Sequence, residues 1–391
     1  MVIRVAVAVA VVAGGSVHAQ TLYTWRGGSG AWEDSARWDP TGVPSTPGDA
    51  AGIATSGTDA VTLNSRPIIA RLALSGSLRV APAGGLYFID SITITSGSIR
   101  VGQGIAGQEA LLAPLAGTSA ITALGGGVVL DGNPANVANA RVLAPAGGGL
   151  VITGTVRGQG VVQGDGTIVN TGQFIASGAG MRLLGSIVQV GGSISGGPLV
   201  LDGADVEGGV LAPTGVRARV PGGRAVTLRN VTIASTLGVA VDPAGSLSVE
   251  SPGIAFGAGQ PPVTVLLFGG QLDLSGPLRV SGALPPLCQA FRVVDVAPGA
   301  LAQITGRLAK AVDPALPPNR RWALQHLPDG VLLRLTCAAD FDADCAVDFN
   351  DLLAFMNLYN AGDPEADLNG DGAVDFNDFL AFLNAFGLPC P

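Results

Sequence analysis

The chain has 391 residues but one lysine, Lys310, and two histidines, His18 and His326. That scarcity excludes several chemistries. A single lysine gives no basis for Schiff-base or phosphate-gripping sites. His18 lies in an apolar leader, so a Ser-His-Asp triad would rest on His326 alone, and no Gly-x-Ser-x-Gly turn is present to hold a nucleophile. The four cysteines, Cys288, Cys337, Cys345 and Cys390, include no Cys-x-x-Cys pair, which with so little histidine argues against zinc. Charged residues are 13% of the chain, and Lys and Arg nowhere form the clustered footprint that nucleic acid requires. Long apolar runs are missing too. The stretch from Val5 to Ala13 is too short to span a bilayer.

That stretch has another meaning. Arg4 precedes it, and Val17-His-Ala19 supplies small residues before Gln20, so residues 1–19 read as a signal peptide and the mature protein is expected to be secreted or held at the cell surface. Export permits disulfides. Four cysteines allow three pairings, among which sequence does not choose.

Between residue 20 and about residue 336, Gly, Ala, Val, Leu, Ser and Thr dominate, and short alternating apolar stretches are broken by glycine. Ser75-Gly-Ser-Leu-Arg-Val80 recurs 21 residues later as Ser96-Gly-Ser-Ile-Arg-Val101, with a looser echo at Ser275-Gly-Pro-Leu-Arg-Val280. A second pair is Val129-Leu-Asp-Gly132 leading to Val142-Leu-Ala-Pro145, matched by Val200-Leu-Asp-Gly203 leading to Val210-Leu-Ala-Pro213. A period near 20 residues built of short strands and glycine corners predicts a β-solenoid, mostly β and of the right-handed parallel β-helix type. A β-sandwich would instead need hairpin turns at regular intervals. With 47% hydrophobic residues, disorder is excluded.

Residues 20–285 are expected to form this solenoid and residues 286–336 its closing strands. Body acids are scattered, at Asp131, Asp165, Asp202, Asp205, Glu207, Asp242 and Glu250. The densest set is Asp202, Asp205 and Glu207, followed by Arg217 and Arg219. Solvated corner residues account for that set more simply than a catalytic face.

The tail, residues 337–391, is different material. Eleven of the 29 acidic residues fall between Asp340 and Asp378, and no Lys or Arg follows Arg334. Two loops, 340–351 and 367–378, repeat one another 27 residues apart. Each has oxygen side chains at positions 1, 3, 5, 9 and 12, a spacing that wraps a backbone around a hard cation needing several oxygen ligands. Calcium is the natural ion. The expected ligands are Asp340, Asp342, Asp344, Asp348 and Asp351 with the Ala346 carbonyl, and Asp367, Asn369, Asp371, Asp375 and Asp378 with the Ala373 carbonyl. After each loop an apolar stripe at helical spacing follows: Phe349, Leu352, Leu353, Met356, then Phe376, Phe379, Leu380, Leu383, widened by Phe355 with Tyr359 and Phe382 with Phe386. Position 6 needs a sharp turn with positive φ. Gly372 suits it and Cys345 does not, so the second site is expected to be the stronger.

Loop, helix, spacer, loop, helix is an order that resembles a dockerin, with EF-hand-type loops that have Asp at position 12 and no clear helix before them. The resemblance implies recognition through positions 10 and 11, here Phe349, Asn350, Phe376 and Asn377, by a cohesin-like or other surface protein. These residues differ from the Ser-Thr pair of cellulosomal dockerins. The ends of such modules lie close together, which implies a Cys337–Cys390 clasp; the competing scheme is Cys288–Cys337 with Cys345–Cys390. Trp25-Arg-Gly-Gly-Ser-Gly-Ala-Trp32 with Trp38, Pro44 and Gly48-Asp49 resembles the opening of secreted bacterial β-helical proteins, including those with autotransporter-like repeats. Phe291-Arg-Val-Val-Asp295, Trp322 and Gly330-Val-Leu-Leu-Arg-Leu335 resemble their closing strands. The three early tryptophans are expected to cap the solenoid, a sugar-stacking platform being the alternative. The function expected is a non-enzymatic structural or adhesive protein that docks through its calcium module, possible ligands including polysaccharide. The alternative is a carbohydrate-active enzyme carried by a dockerin, a hydrolase or lyase.

Overall fold

The computed structural model describes residues 21–102, 108–115, 117–234, 237–256, 265–313, 316–317 and 319–388. The expected signal peptide and Cys390 lie outside them. The fold is mostly β with two α-helices at its C-terminal end, consistent with a β-rich solenoid.

Parallel pairing is the rule from the first strands to residue 312. Val61 is level with Leu78, Leu78 with Ile99, Ile99 with Val128, and the same column runs on through Val156, Phe174, Ile194, Leu211, Ile233 and Ile254 to Val280. Every member is buried. A second column joins Ala51, Leu72, Ile92, Ile121 and Ile152, and a third joins Leu86, Leu112, Val142, Val162, Leu183 and Leu201. No single turn of chain could bury these residues by itself. Stacking them in register gives one continuous apolar core, the dominant source of stability.

The 21-residue echo is a true structural repeat. Ser75 to Val80 pair with Ser96 to Val101 position by position, and the Ser75 and Ser96 hydroxyls lie 2.9 Å apart. The glycine corner follows the same logic, since Gly76, Gly97 and Gly126 stack and a Cβ on Gly97 would meet the Gly76 carbonyl oxygen at 1.9 Å. The other echo repeats in structure only in its first half, where Val129 and Val200 are half-buried and Leu130 and Leu201 are buried. Val142 is buried whereas its counterpart Val210 is half-buried and Leu211 takes the inward place, so the second halves run out of phase.

The three early tryptophans pack together at the N-terminal end of the strand-rich body, a cluster called the cap below. Trp25, Trp32 and Trp38 are buried, edge-to-face at 5.0 Å and 4.9 Å. Each indole N–H donates to a backbone carbonyl, of Gly28, Pro44 and Trp32 in turn. No ring face is free to stack on a sugar. Glu33 fastens the cap to the next turn by accepting from the N–H groups of Asn64 and Ser65 at 2.8 Å and 2.7 Å. At the other end the pairing changes sense: Arg320–Leu327 and Gly330–Cys337 form an antiparallel hairpin, and Ala290–Val296 pairs antiparallel with its second strand. Trp322 is buried there and donates to Asp313.

The core then divides. A separate cluster of Ala339, Phe341, Phe355, Ala366 and Phe382 belongs to the tail. Helix α1, Phe349–Ala361, and helix α2, Phe376–Phe386, each start with a capping box, Asp348 with Asp351 and Asp375 with Asp378. Gly362 ends α1 in the left-handed conformation. Neither helix, nor any other among the described residues, is long and apolar enough to cross a membrane.

Candidate metal centre

The two acidic loops fold alike. In the first, Asp351 at position 12 is fully buried; its Oδ1 accepts from the N–H groups of Phe341 and Asp342 at 2.7 Å and 3.2 Å, and its Oδ2 from Asp348 N–H at 2.8 Å. In the second, Asp378 accepts from Leu368, Asn369 and Asp375 N–H at 2.8 Å, 3.0 Å and 2.9 Å. One carboxylate thus ties the start of each loop to the first turn of its helix.

Position 1 separates the loops. Asp340 is fully buried, and its Oδ2 accepts from the Thr336 hydroxyl and from Cys345 N–H. Its Oδ1 is buried and has no hydrogen-bond partner among the described residues. Ligand oxygens of Asp340, Asp342 and Asp351 all lie within 4.8 Å of one another. A buried carboxylate oxygen with no donor is costly, and a cation shared with two neighbouring carboxylates removes that cost. The residues present therefore fit a metal ion. Partial desolvation, together with the charges of Asp351, Asp344 and Asp340, raises the Asp342 carboxyl above its ordinary range, against a hydrogen bond from Asp344 N–H.

At position 1 of the second loop, Asp367 Oδ2 accepts from Lys310 Nζ at 3.1 Å and Gly372 N–H at 3.2 Å, and Oδ1 from Gly370 N–H at 2.8 Å. Burial opposes its charge, but Lys310 and the two glycine N–H groups outweigh burial and lower its pKa.

The remaining predicted ligands stay local. Asp344 and Asp371 accept from Ala346 and Ala373 N–H, and Asp348 and Asp375 cap the helices by accepting from Asn350 and Asn377 N–H. Asn369 donates to Asp371. Among the described residues the three-carboxylate cluster lies in the first loop. Cys345 does take positive φ, +76°, and a disulfide to Cys288 holds it there. That bond rules out the Cys345–Cys390 scheme. Cys337 is disulfide-bonded as well, while the Cys390 end of the expected clasp lies outside the described residues.

Sequence reasoning missed what surrounds the loops. Phe341 packs edge-to-face on Phe355 and Phe382, and the Arg321 guanidinium lies 3.9 Å over its ring. Arg321 also pairs with Glu365 at 3.2 Å and donates to the Asp340 carbonyl. Burial lowers the guanidinium and raises the Glu365 carboxyl, each drawn back by the other's charge. Lys310, Arg321 and Cys288 lie 57, 44 and 57 residues from their partners, and no local pattern announces them.

The body acids offer less. Asp202 is buried with Oδ2 on Arg182 and Oδ1 on Arg224, and Asp205 pairs with Arg229 at 2.8 Å. Arg219 goes to Asp242 and Arg217 to the Leu237 carbonyl, so neither joins the Asp202 group. His326 is half-buried with Nε2 3.3 Å from the Leu308 carbonyl, and desolvation lowers its pKa. No family model, no curated protein and no solved structure matches the chain, so its reading rests on this geometry.

Proposed function

We propose that the chain is a secreted, non-enzymatic structural or adhesive protein in which a right-handed parallel β-helix carries a dockerin-like module that binds two calcium ions and docks to a surface protein. The observation that carries the metal reading is the buried Asp340 Oδ1, without a hydrogen-bond partner among the described residues, on a carboxylate that clusters with those of Asp342 and Asp351. All-oxygen donors at this spacing favour calcium over softer ions. Docking is supported by the exposure of Phe349, Asn350, Phe376 and Asn377, the two phenylalanines being 65% and 63% exposed.

The test uses the whole mature chain with its disulfides, because Cys288, Lys310 and Arg321 of the body hold the tail. Calcium at about 100 times its dissociation constant should stabilise the fold by about 2.7 kcal/mol per site, and chelator should remove the effect. Capture from culture supernatant with calcium and with chelator tests docking; a partner retained equally in both would sink it. Turnover of pectin or alginate lost in Asp202→Asn would replace the structural reading with an enzymatic one.

A further inference from the structure

The only lysine in the chain is placed on the second acidic loop. Its ammonium lies 3.1 Å from Asp367 Oδ2, and the Asp367 side chain is only 5% exposed. The first loop has a neutral donor, the Thr336 hydroxyl, at the equivalent place. One loop therefore presents a buried oxygen without a donor to an incoming cation, and the other presents an oxygen already held by a cation of the protein.

We propose that Lys310 is an internal competitor for the second metal site: a metal ion binds the second loop only by displacing the Lys310 ammonium from Asp367. The proposal rests on the metal reading above and adds an order and a consequence to it. Two cations sharing one carboxylate repel at close range, more strongly where water is partly excluded. A lysine ammonium on a four-carbon stem can leave, unlike a forked guanidinium. There is space for it, in a cleft of about 310 Å³ where Lys310, Asp313, Arg320, Arg321, Glu365 and Asp367 meet. The first loop fills first. Filling the second breaks one of the two tail–body ion pairs among the described residues, leaving Arg321–Glu365 and the Cys288–Cys345 bond as the hinge side. Calcium concentration thereby sets how firmly the tail is held against the body.

Calorimetric titration of the oxidised mature chain with Ca²⁺ alone reads this directly, with Asp351→Asn and Asp378→Asn assigning the steps. Lys310→Met should tighten the second-loop step by about two- to fivefold, the scale of a partly exposed ion pair, and leave the first step unchanged. Lys310→Arg should keep the second step weak. Because Lys310 is unique, its acylation by an amine reagent, located by mass spectrometry, should speed up as the second loop fills and should not respond to calcium in Asp378→Asn. Unchanged affinities in Lys310→Met, or labelling indifferent to calcium while both loops bind it, would overturn the proposal and leave the metal reading standing. No binding to wild type or variant overturns both.

Discussion

Ala343 and Cys345 hold the first acidic loop at φ +61° and +76°, where the second loop has Gly370 and Gly372 at +77° and +89°. Position 6 was legible as a turn. Position 4 was not, because alanine carries no sign of the conformation imposed on it. A Cβ in the left-handed region costs about 1 to 2 kcal/mol, part of which the greater entropy of an unfolded glycine takes back. Ala343→Gly should therefore stabilise the tail by about 0.5 to 1 kcal/mol and tighten the first metal step, as read by thermal unfolding and titration. Glu33 gives a pH prediction. Partial burial opposes its charge, but the Ser65 hydroxyl and the N–H groups of Asn64 and Ser65 prevail and hold its pKa below the ordinary 4.5. A folded-state pKa below the unfolded one gives stability that is present above about pH 4.5 and lost as pH falls through the folded value. The difference in melting temperature between wild type and Glu33→Gln should thus be fullest near pH 6 and shrink below pH 4.5. A constant difference would show that the carboxylate does not fasten the cap.

Both tail helices were visible from their apolar spacing, but the edge of the stripe that becomes core was not. Phe355 and Phe382 stack at 4.4 Å and are fully buried, while Phe349, Leu353, Phe376, Leu380 and Leu383 remain exposed. Periodicity sets the width of an apolar arc; the partner that meets it sets which part is covered. Here Phe341, a loop residue outside any periodic pattern, inserts against both buried rings. Phe355→Ala should cost about 3 to 5 kcal/mol by the cavity it leaves, whereas Phe349→Ala should stay within about 0.5 kcal/mol. Denaturant unfolding followed by near-ultraviolet circular dichroism separates them. Equal losses would mean that the helix faces are assigned wrongly.

Across the molecule, Cys288–Cys345 closes a separation of 57 residues between the closing strands and the first loop. A loop of that length is worth about 4 kcal/mol in the chain-entropy picture. Cys288→Ser with Cys345→Ser should destabilise the tail on that scale, split unfolding into two transitions and weaken the first metal step; a single unchanged transition would show that the part-buried Arg321–Glu365 pair suffices as the link. The sequence by itself determined the strand-rich body, its 21-residue repeat, the tryptophan cap, the acidic loops and the helices after them, because each is written in neighbouring residues whose spacing matches a backbone period. Tertiary structure alone decided which echo stacks in register, which carboxylates converge at Asp340, and that Lys310, Arg321 and Cys288 reach the tail. Those outcomes depend on contacts between residues far apart in the chain, and no local period records them.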